Sequence, residues 1–328
     1  MGWSAGLSAS CAKGDKITYT PDTTGAHSYT SGTFSAPKRG IYRLTLRGSG
    51  GYTRNTFGNQ AAGGAGGLTV GYMLLEEGQN VYVGCGGPCS AAWAAKANPG
   101  NSGVASIAKA NLLFVAGAGG GGGSTWGSNG TGPCGAGGAG GGSAGGDGVN
   151  VGNGRNGTGG TQSAGGSGCD YNNALNNNGS YGSGSLGVYT NNDDGNGSGG
   201  SGTGGDGGDG YYGGGAGGSI GSDCANGGGG GSGYLCAGTL TVGTRTFTCS
   251  TAQGGGASSG GAGSVDVTYV EPAELPAAFD GTRLTALFFN GTAVDSLVYN
   301  GTKVFARRAC GLLWRAARPF ARRRKVMA

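Results

Sequence analysis

The sequence predicts a mainly β protein: a β-sandwich that carries a large glycine-rich, polyglycine II-like insertion and is followed by a short β-meander repeat. Three observations lead to this fold class. Apolar and polar residues alternate before and after a glycine block, 60 of the 85 glycines fall between residues 117 and 263, and a ten-residue motif occurs three times near the end. A helical fold is disfavoured because each helical glycine costs about 0.5–1 kcal/mol relative to alanine. Collagen would need glycine at every third position together with abundant proline, and the chain has only 8 prolines.

The stretches that flank the glycine block have the two-residue period of half-buried strands. Apolar residues occupy alternate positions from Tyr42 to Leu46, from Leu68 to Leu74 and from Val265 to Tyr269. The run from Leu112 to Ala116 is apolar throughout and ends at glycine. Because a strand pattern resumes after residue 263, we expect the block to be an insertion within one sandwich. A flexible linker is the alternative for the block itself.

The carboxy-terminal part contains a true repeat. Phe279-Asp280-Gly281-Thr282 recurs from Phe289 and again from Tyr299, with Asn-Gly in place of Asp-Gly. These dipeptides are typical of two-residue type I′ hairpin turns, so the repeat predicts a β-meander. The predicted organisation is an N-terminal segment 1–29, a glycine-rich β-sandwich domain 30–270, a linker 271–278, a three-copy β-repeat 279–305 and a basic tail 306–328.

Charge is concentrated in the tail. Eight of the 21 lysines and arginines lie between Arg307 and Lys325, which leaves 13 basic and 16 acidic residues elsewhere. The folded part therefore offers no basic surface, and we expect no nucleic-acid partner. We interpret the tail as a solvated, disordered segment, with a membrane-surface or nucleic-acid-binding segment as the alternative.

The order of elements in the glycine-rich domain resembles that of a known family. The elements are Phe34 to Tyr42 running into Gly48 to Gly51, Gly63 to Leu68 followed by Glu77 to Gly84, and Val115 running into polyglycine up to Gly123. Together they resemble the glycine-rich domains of bacteriophage tail fibres and adhesins, which also occur in the ectodomains of one animal receptor tyrosine kinase family. The three-copy repeat is similar to modules at the ends of tail proteins from phages of Gram-positive bacteria, and this favours the phage setting.

The resemblance implies that the glycine tracts pack as polyglycine II strands. Glycines spaced three apart suit that geometry, in one phase at Gly199, Gly202, Gly205 and Gly208 and in another at Gly204, Gly207, Gly210 and Gly213. The implied function is a non-enzymatic tail fibre or adhesin component of a phage or prophage virion. Its expected partners are other tail proteins and a bacterial surface receptor, either a glycan or an outer protein, and homo-oligomerisation is open. The alternative is a secreted or cell-surface glycine-rich ligand-binding or structural domain of a cellular protein, although the start of the chain lacks the pattern of a signal peptide.

The residues that would support catalysis are scarce. His27 is the single histidine and lies in a polar loop, so a three-histidine metal site is impossible and a serine–histidine–aspartate triad is disfavoured. We expect no enzyme activity, no cofactor and no metal. Asp206 and Asp209 are interpreted as solvated acidic turns, with a calcium site as the alternative. A zinc site built from Cys134, Cys224, Cys236 and Cys249 is left open, although their spacing gives it no support.

The candidate binding residues lie where glycine becomes rare. Only 4 of the 26 residues from Cys169 to Asp194 are glycine, and tyrosine with asparagine supplies rigid amphipathic surface and adaptable hydrogen bonding. The resemblance implies that loops at the tip of such a bundle contact the host receptor. The alternative is that these tyrosines cap the ends of glycine strands. The candidate residues are Tyr171, Asn172, Asn173, Tyr181, Tyr189, Asn191 and Asn192, with Tyr211 and Tyr212 from a later tract.

Overall fold

The structure is a computed structural model, and it confirms a mainly β protein. It describes residues 6–52, 59–126, 132–152, 155–169, 177–187, 189–191, 201–220, 224–273, 277–279, 282–284, 288–289, 292–293, 296–299 and 302–306. The chain divides into two compact units. The first comprises Met1–Thr241 and Thr246–Glu271, and the second comprises Val242–Arg245 and Pro272–Ala328.

Strands account for nearly all regular structure in the described residues. Up to the first glycine tract they are β1 Lys16–Tyr19, β2 Tyr29–Ser35, β3 Gly40–Arg47, β4 Leu68–Leu75, β5 Asn80–Gly86, β6 Ala92–Ala95 and β7 Leu112–Ala116. From there to the end of the first unit they are β8 Ser124–Trp126, β9 Tyr189–Asn191, β10 Ser201–Thr203, β11 Ser219–Ile220, β12 Cys224–Ala225, β13 Tyr234–Leu235, β14 Thr239–Val242, β15 Arg245–Thr248, β16 Ser250–Ala252 and β17 Ser264–Glu271. Two short 3-10 helices, Val104–Ser106 and Lys109–Asn111, precede β7.

Two five-stranded antiparallel sheets form the sandwich. The first has the order β1-β17-β3-β4-β16 and the second has the order β13-β7-β6-β5-β2. Strand β17 follows the glycine-rich stretch in sequence, yet it lies between β1 and β3 with Val267 opposite Leu44. The predicted resumption of the sheet after the glycine tracts is therefore present.

The core between the two sheets consists of apolar side chains from both. Leu44 and Leu46 on β3 are at most 1% exposed, as are Val81 on β5 and Phe114 on β7. The two-residue period predicted for Tyr42 to Leu46 is thus confirmed. Burial of such side chains contributes about 1.5–3 kcal/mol each relative to exposure.

The buried face predicted for β4 was wrong. The larger apolar residues at 68, 70, 72 and 74 are only half-buried, whereas Thr69, Gly71 and Leu75 are buried. The reason is that the ring of Phe114 lies directly against Gly71, where an added Cβ would be 2.3 Å from Cζ. The residue of β4 that faces the core at position 71 must therefore be small. The alternation of apolar and polar residues in the sequence gives no sign of this requirement.

The glycine tracts form what we call the glycine lattice, a set of extended segments joined by backbone hydrogen bonds. Its segments are 48–51, 61–67, 117–123, 135–148, 157–160, 165–169, 204–218 and 225–233. The first two precede the glycine block, so the lattice recruits residues from the loops that follow β3 and precede β4. Conversely, residues 234–252 of the block supply the edge strands β13 and β16 of the two sandwich sheets.

Hydrogen bonds of the central tract 117–123 have a three-residue period. Its N–H groups donate in rotation to the segments 206–209, 49–52 and 135–138 at 2.7–3.0 Å. The pairs are Ala118 to Asp209, Gly119 to Ser49, Gly120 to Gly138, Gly121 to Asp206, Gly122 to Tyr52 and Gly123 to Gly135. An extended chain with three residues per turn and no internal hydrogen bonds is the polyproline II geometry. The polyglycine II packing of the whole glycine block stays a prediction.

The lattice leaves no room for side chains at its centre. A Cβ added to Gly120 would lie 2.2 Å from the carbonyl oxygen of Gly228, and one added to Gly228 would lie 2.1 Å from that of Asp206. Both contacts are with backbone, which cannot rotate away as a side chain can. Glycine is therefore required here by the closeness of neighbouring chains.

Each copy of the carboxy-terminal repeat forms an antiparallel pair of strands. The pairs are β18 Ala277–Phe279 with β19 Thr282–Leu284, β20 Phe288–Phe289 with β21 Thr292–Ala293, and β22 Ser296–Tyr299 with β23 Thr302–Ala306. Phe279 faces Thr282, Phe289 faces Thr292 and Tyr299 faces Thr302, so the register is the same in all three. The pairing that the structure describes runs within each copy. The Asp-Gly and Asn-Gly dipeptides and the tail from residue 307 lie outside the described residues.

Candidate binding surface

Strands β6 and β7 of the second sheet are buried on both faces, and the outer face supports the candidate surface. Strand β6 is buried throughout: Ala92 and Ala94 belong to the sandwich core, whereas Trp93 belongs to a second apolar cluster on the opposite face. That second cluster also contains Val104, Ile107, Leu112 and Val115. Half-buried tyrosines pack over it, so it forms an apolar base for an aromatic surface.

Tyr181, Tyr211 and Tyr234 pack on this base, and Tyr212 and Lys109 contact their rings; we call these five residues the tyrosine–lysine cluster. Its members are Lys109, Tyr181, Tyr211, Tyr212 and Tyr234. The rings of Tyr211 and Tyr234 are stacked with centroids 4.3 Å apart, while Tyr211 and Tyr212 meet edge to face at 5.3 Å. Tyr181 contacts both Tyr211 and Tyr212 edge to face, at 5.8 and 5.9 Å. Such arrangements are the favoured ones for aromatic pairs.

Lys109 places a positive charge over the tyrosine rings. Its ammonium lies 4.8 Å from the ring centroid of Tyr181 and 4.7 Å from that of Tyr212, within cation–π range. It also donates a hydrogen bond of 2.7 Å to the Tyr212 hydroxyl. This bond is the main cause that raises the pKa of Lys109, so the surface keeps its positive charge at neutral pH.

The ring of Tyr181 is fixed at both ends. Its hydroxyl donates to the carbonyl oxygen of Ile107 at 2.6 Å, and its backbone forms a bridge to Tyr212. Burial, followed by the neighbouring Tyr211, raises the pKa of Tyr181 to about 12. Tyr181 is therefore a neutral hydrogen-bonding ring at physiological pH.

A buried polar junction joins the glycine lattice to the sandwich near this surface. Nδ1 of His27 lies 2.9 Å from Oδ1 of Asp209, and Nε2 lies 3.9 Å from Oδ2 of Asp206. The hydroxyls of Tyr29 and Tyr52 donate to Asp209 at 2.5 Å and to Asp206 at 2.6 Å. Burial and then the adjacent Asp209 carboxylate raise the pKa of Tyr29 well above its usual range.

The interpretation of Asp206 and Asp209 as solvated acidic turns was wrong. They are 2% and 3% exposed, and lattice N–H groups of Gly187 and Gly184 donate to their carboxylates. The two aspartates are spaced by three residues within a tract whose hydrogen bonds repeat every three residues, so both reach His27. Likewise His27 is not simply a polar loop residue, because its imidazole lies between the two carboxylates.

A cleft open to solvent lies beside the junction, with a volume of about 500 Å³. Three chain segments form it: residues 27–29, residues 101–106 and the turn at 182–183. The last segment follows Tyr181 directly, and Ser106 precedes the Ile107 carbonyl that holds the Tyr181 hydroxyl. The cleft is therefore adjacent to the tyrosine–lysine cluster at Tyr181.

The structure brings together three of the nine candidate residues, Tyr181, Tyr211 and Tyr212. The backbone of Tyr189 and Asn191 lies in β9, which pairs with β10. The remaining candidates, Tyr171, Asn172, Asn173 and Asn192, lie outside the described residues. Tyr211 lies inside a lattice segment, where its amide donates to Ser232, and the rings of Tyr181, Tyr211 and Tyr212 are half-buried.

Sequence reasoning missed Lys109, Tyr234 and the His27–Asp209 junction. Lys109 and Tyr234 lie far from the glycine-poor window in sequence, so local composition gives no signal for them. The junction did leave a signal, since Asp206 and Asp209 interrupt a glycine tract at the three-residue spacing that places them on one side of the strand. That spacing would have predicted a shared partner.

The described residues contain no group of three or more histidine, cysteine, aspartate or glutamate side chains placed to hold a metal ion. The side chain of Cys224, one of the four cysteines considered for zinc, is outside them. Over the same parts of the chain there is no helix of the length and apolarity needed to cross a bilayer.

Comparison with known proteins found no match, either among protein-family models or among curated proteins. The resemblance to glycine-rich phage domains therefore rests on the order of elements in the sequence.

Proposed function

We propose that the protein is a non-enzymatic tail fibre or adhesin component of a phage or prophage virion, and that it contributes to binding of the bacterial surface. The observation that carries this proposal is the convergence of Tyr181, Tyr211 and Tyr212, from two separate tracts, into one half-exposed aromatic surface with Lys109. Tyrosine is one of the residue types enriched in binding hot spots. The three-copy repeat and the order of glycine-rich elements support the virion setting.

The scaffold suits this role because hydrogen bonds hold the tyrosines in place before any ligand binds. Tyr211 and Tyr212 lie within the lattice segment 204–218, where both of their amides donate to Ser232, and the Tyr181 hydroxyl donates to the carbonyl oxygen of Ile107. A surface that is already ordered before binding loses less conformational entropy on contact. The alternative, a ligand-binding domain at the surface of a cell, would use the same tyrosines on a different partner.

The experiment is adsorption of the purified, fluorescently labelled full chain to a panel of Gram-positive bacteria. The variant combines Tyr181→Ala, Tyr211→Ala and Tyr212→Ala. The matched control removes another aromatic pair, Tyr72 and Phe247, whose centroids are 5.2 Å apart in the sandwich domain. We expect the triple variant to lose adsorption by roughly 30-fold, as removal of one hot spot of about 2 kcal/mol does, and the control to adsorb like the wild type.

Unchanged adsorption by a triple variant with a normal melting profile would refute the role of this surface. If the triple variant fails to fold, Tyr212→Phe is the milder test, because it removes only the hydroxyl that Lys109 contacts. A chain that binds no bacterium of the panel but binds animal cells would favour the cellular alternative.

A further inference from the structure

The cleft beside the tyrosine–lysine cluster has the chemistry of a small-molecule site. Its volume of about 500 Å³ lies in the range of roughly 300–1,000 Å³ that is typical of ligand pockets. Serine and asparagine side chains dominate its described lining, which comprises His27, Ser28, Tyr29, Asn101, Ser102, Gly103, Ala105, Ser106, Gly182, Ser183 and Asp209. Hydroxyl and amide groups both donate and accept hydrogen bonds, so this lining suits a ligand rich in hydroxyl groups.

The charged groups of the lining are already paired. Asp209 is buried, and its carboxylate accepts hydrogen bonds from Tyr29 and from the amide of Gly184 and lies 2.9 Å from Nδ1 of His27. No lysine, arginine or glutamate is among the described lining residues. A neutral polar ligand would therefore meet matched partners, whereas an anionic one would lie close to the Asp209 carboxylate.

The walls of the cleft are held by close contacts at two glycines. The ring of Tyr29 lies against Gly103, where an added Cβ would be 2.6 Å from Cε2. On the other wall, a Cβ added to Gly182 would lie 2.1 Å from the backbone nitrogen of Ala105. These contacts fix the spacing of the three segments, so the site is formed before a ligand arrives.

We propose that this cleft binds a neutral saccharide of the bacterial surface, with the tyrosine–lysine cluster extending the contact beyond it. The inference rests on the proposed adhesin function and specifies its receptor class. Serine and asparagine groups would bond to sugar hydroxyls, and the neighbouring rings of Tyr181 and Tyr212 would pack on the apolar faces of adjacent sugar units. A protein receptor is disfavoured because the cleft has the volume of a small-ligand site and is lined mainly by small residues.

The test presents the labelled full chain to a printed array of neutral and acidic bacterial oligosaccharides. Ala105→Trp fills the cleft from an exposed position, and Ala97→Trp is the matched control, since Ala97 is exposed and is not a lining residue. We expect the wild type and Ala97→Trp to bind the same neutral oligosaccharides and Ala105→Trp to fall to background with an unchanged melting profile. Ser106→Trp, also exposed and lining, replaces Ala105→Trp if that variant does not fold.

Several results would overturn the inference: Ala105→Trp binding like the wild type, binding confined to acidic oligosaccharides, or adsorption to bacteria that protease treatment of the cells abolishes. In the last case the adhesin proposal stands and only the saccharide assignment fails. Binding of neutral oligosaccharides without adsorption to any bacterium would support the saccharide assignment and count against the adhesin proposal. A chain that binds neither oligosaccharides nor cells would refute both.

Discussion

The sandwich and the glycine lattice, both in the first unit, are ordered by different interactions. In the sandwich, side chains such as Leu44 and Phe114 fill the space between two sheets. In the lattice, chains approach so closely that Gly120 and Gly228 leave no space for a Cβ. Ordering a residue costs about 1–2 kcal/mol. In the glycines of the lattice, which have no side chains to bury, backbone hydrogen bonds of about 0.5–1.5 kcal/mol and Cα–H···O contacts of about 0.5–1 kcal/mol offset that cost. The stability of the lattice therefore depends on how closely its backbones approach each other, whereas the stability of the sandwich depends on the apolar area that it buries.

The largest effect is expected from one methyl group in the lattice. Gly120→Ala would bring Cβ to 2.2 Å from the Gly228 carbonyl oxygen, and because that atom is backbone the tracts must separate. We expect a loss of more than about 4 kcal/mol in the free energy of unfolding, or failure to fold, which is the range of exceptional core defects. Denaturant unfolding followed by circular dichroism measures it.

Gly238→Ala is the matched control, since an added Cβ there meets nothing within 4 Å. It should leave stability unchanged or raise it by about 0.4–1 kcal/mol, as compatible glycine-to-alanine changes do. Equal stability of the Gly120→Ala and Gly238→Ala variants would break the comparison, because close backbone packing would then have no energetic consequence.

A core substitution in the sandwich should be costly but tolerated. Leu44→Ala removes a buried side chain that is 1% exposed, and such changes cost about 2–5 kcal/mol. Leu44→Met, which nearly keeps the volume, should cost less than about 1.5 kcal/mol. Thermal unfolding of both variants checks the difference; a Leu44→Met variant as unstable as Leu44→Ala would show that the sandwich is as intolerant as the lattice.

The junction between the two regions should show an intermediate effect. Tyr29→Phe removes the hydroxyl that donates to Asp209 and accepts from the Ala91 amide. Leaving such buried groups without a partner costs about 1–3 kcal/mol. Tyr72→Phe is the control, because Tyr72 is also half-buried and its ring packs on Phe247. Chemical denaturation of both variants isolates the contribution of the Tyr29 hydroxyl to the free energy of unfolding. A loss no greater than that of Tyr72→Phe would contradict the proposed coupling.

The smallest effect concerns an ion pair within the first sheet. Burial raises the pKa of Asp266, but hydrogen bonds from Thr18 and Arg47 outweigh it and leave the pKa lowered. A carboxyl group whose pKa is lower in the folded state stabilises the fold at pH values above its unfolded pKa of about 3.9. This stabilisation is lost as the pH falls through the folded pKa.

The stability of the wild type should therefore exceed that of Asp266→Asn by about 1 kcal/mol or less near pH 6, since Arg47 is partly exposed. The difference should shrink between pH 4 and pH 2, and unfolding measured across this range tests it. If the difference in the free energy of unfolding stayed constant across this pH range, the effect would come from side-chain packing and not from the charge of Asp266.

Sequence reasoning recovered the parts of the fold that repeat along the chain. The period of two identified β3 and β17. Sequence reasoning failed where a contact distant in sequence determines the environment of a residue. Position 71 requires glycine because the Phe114 ring packs against it. Asp209 is buried with His27 and Tyr29, which lie about 180 residues earlier in the chain. Within the candidate site, composition identified Tyr181, Tyr211 and Tyr212, but Lys109 and Tyr234 join them only through the fold.

The central claim is that the glycine-rich tracts are an ordered scaffold, and hydrogen exchange of their backbone amides tests it most directly. Amides of 118–123 and 227–233 donate to other segments at 2.7–3.1 Å, so mass spectrometry of exchanged peptides should show protection comparable to that of strands β3 and β17. The exposed Gly238 region, where an added Cβ would meet nothing within 4 Å, supplies a reference for lower packing density. Complete exchange of residues 118–123 and 227–233 within the first seconds, while β3 and β17 stay protected, would contradict the account.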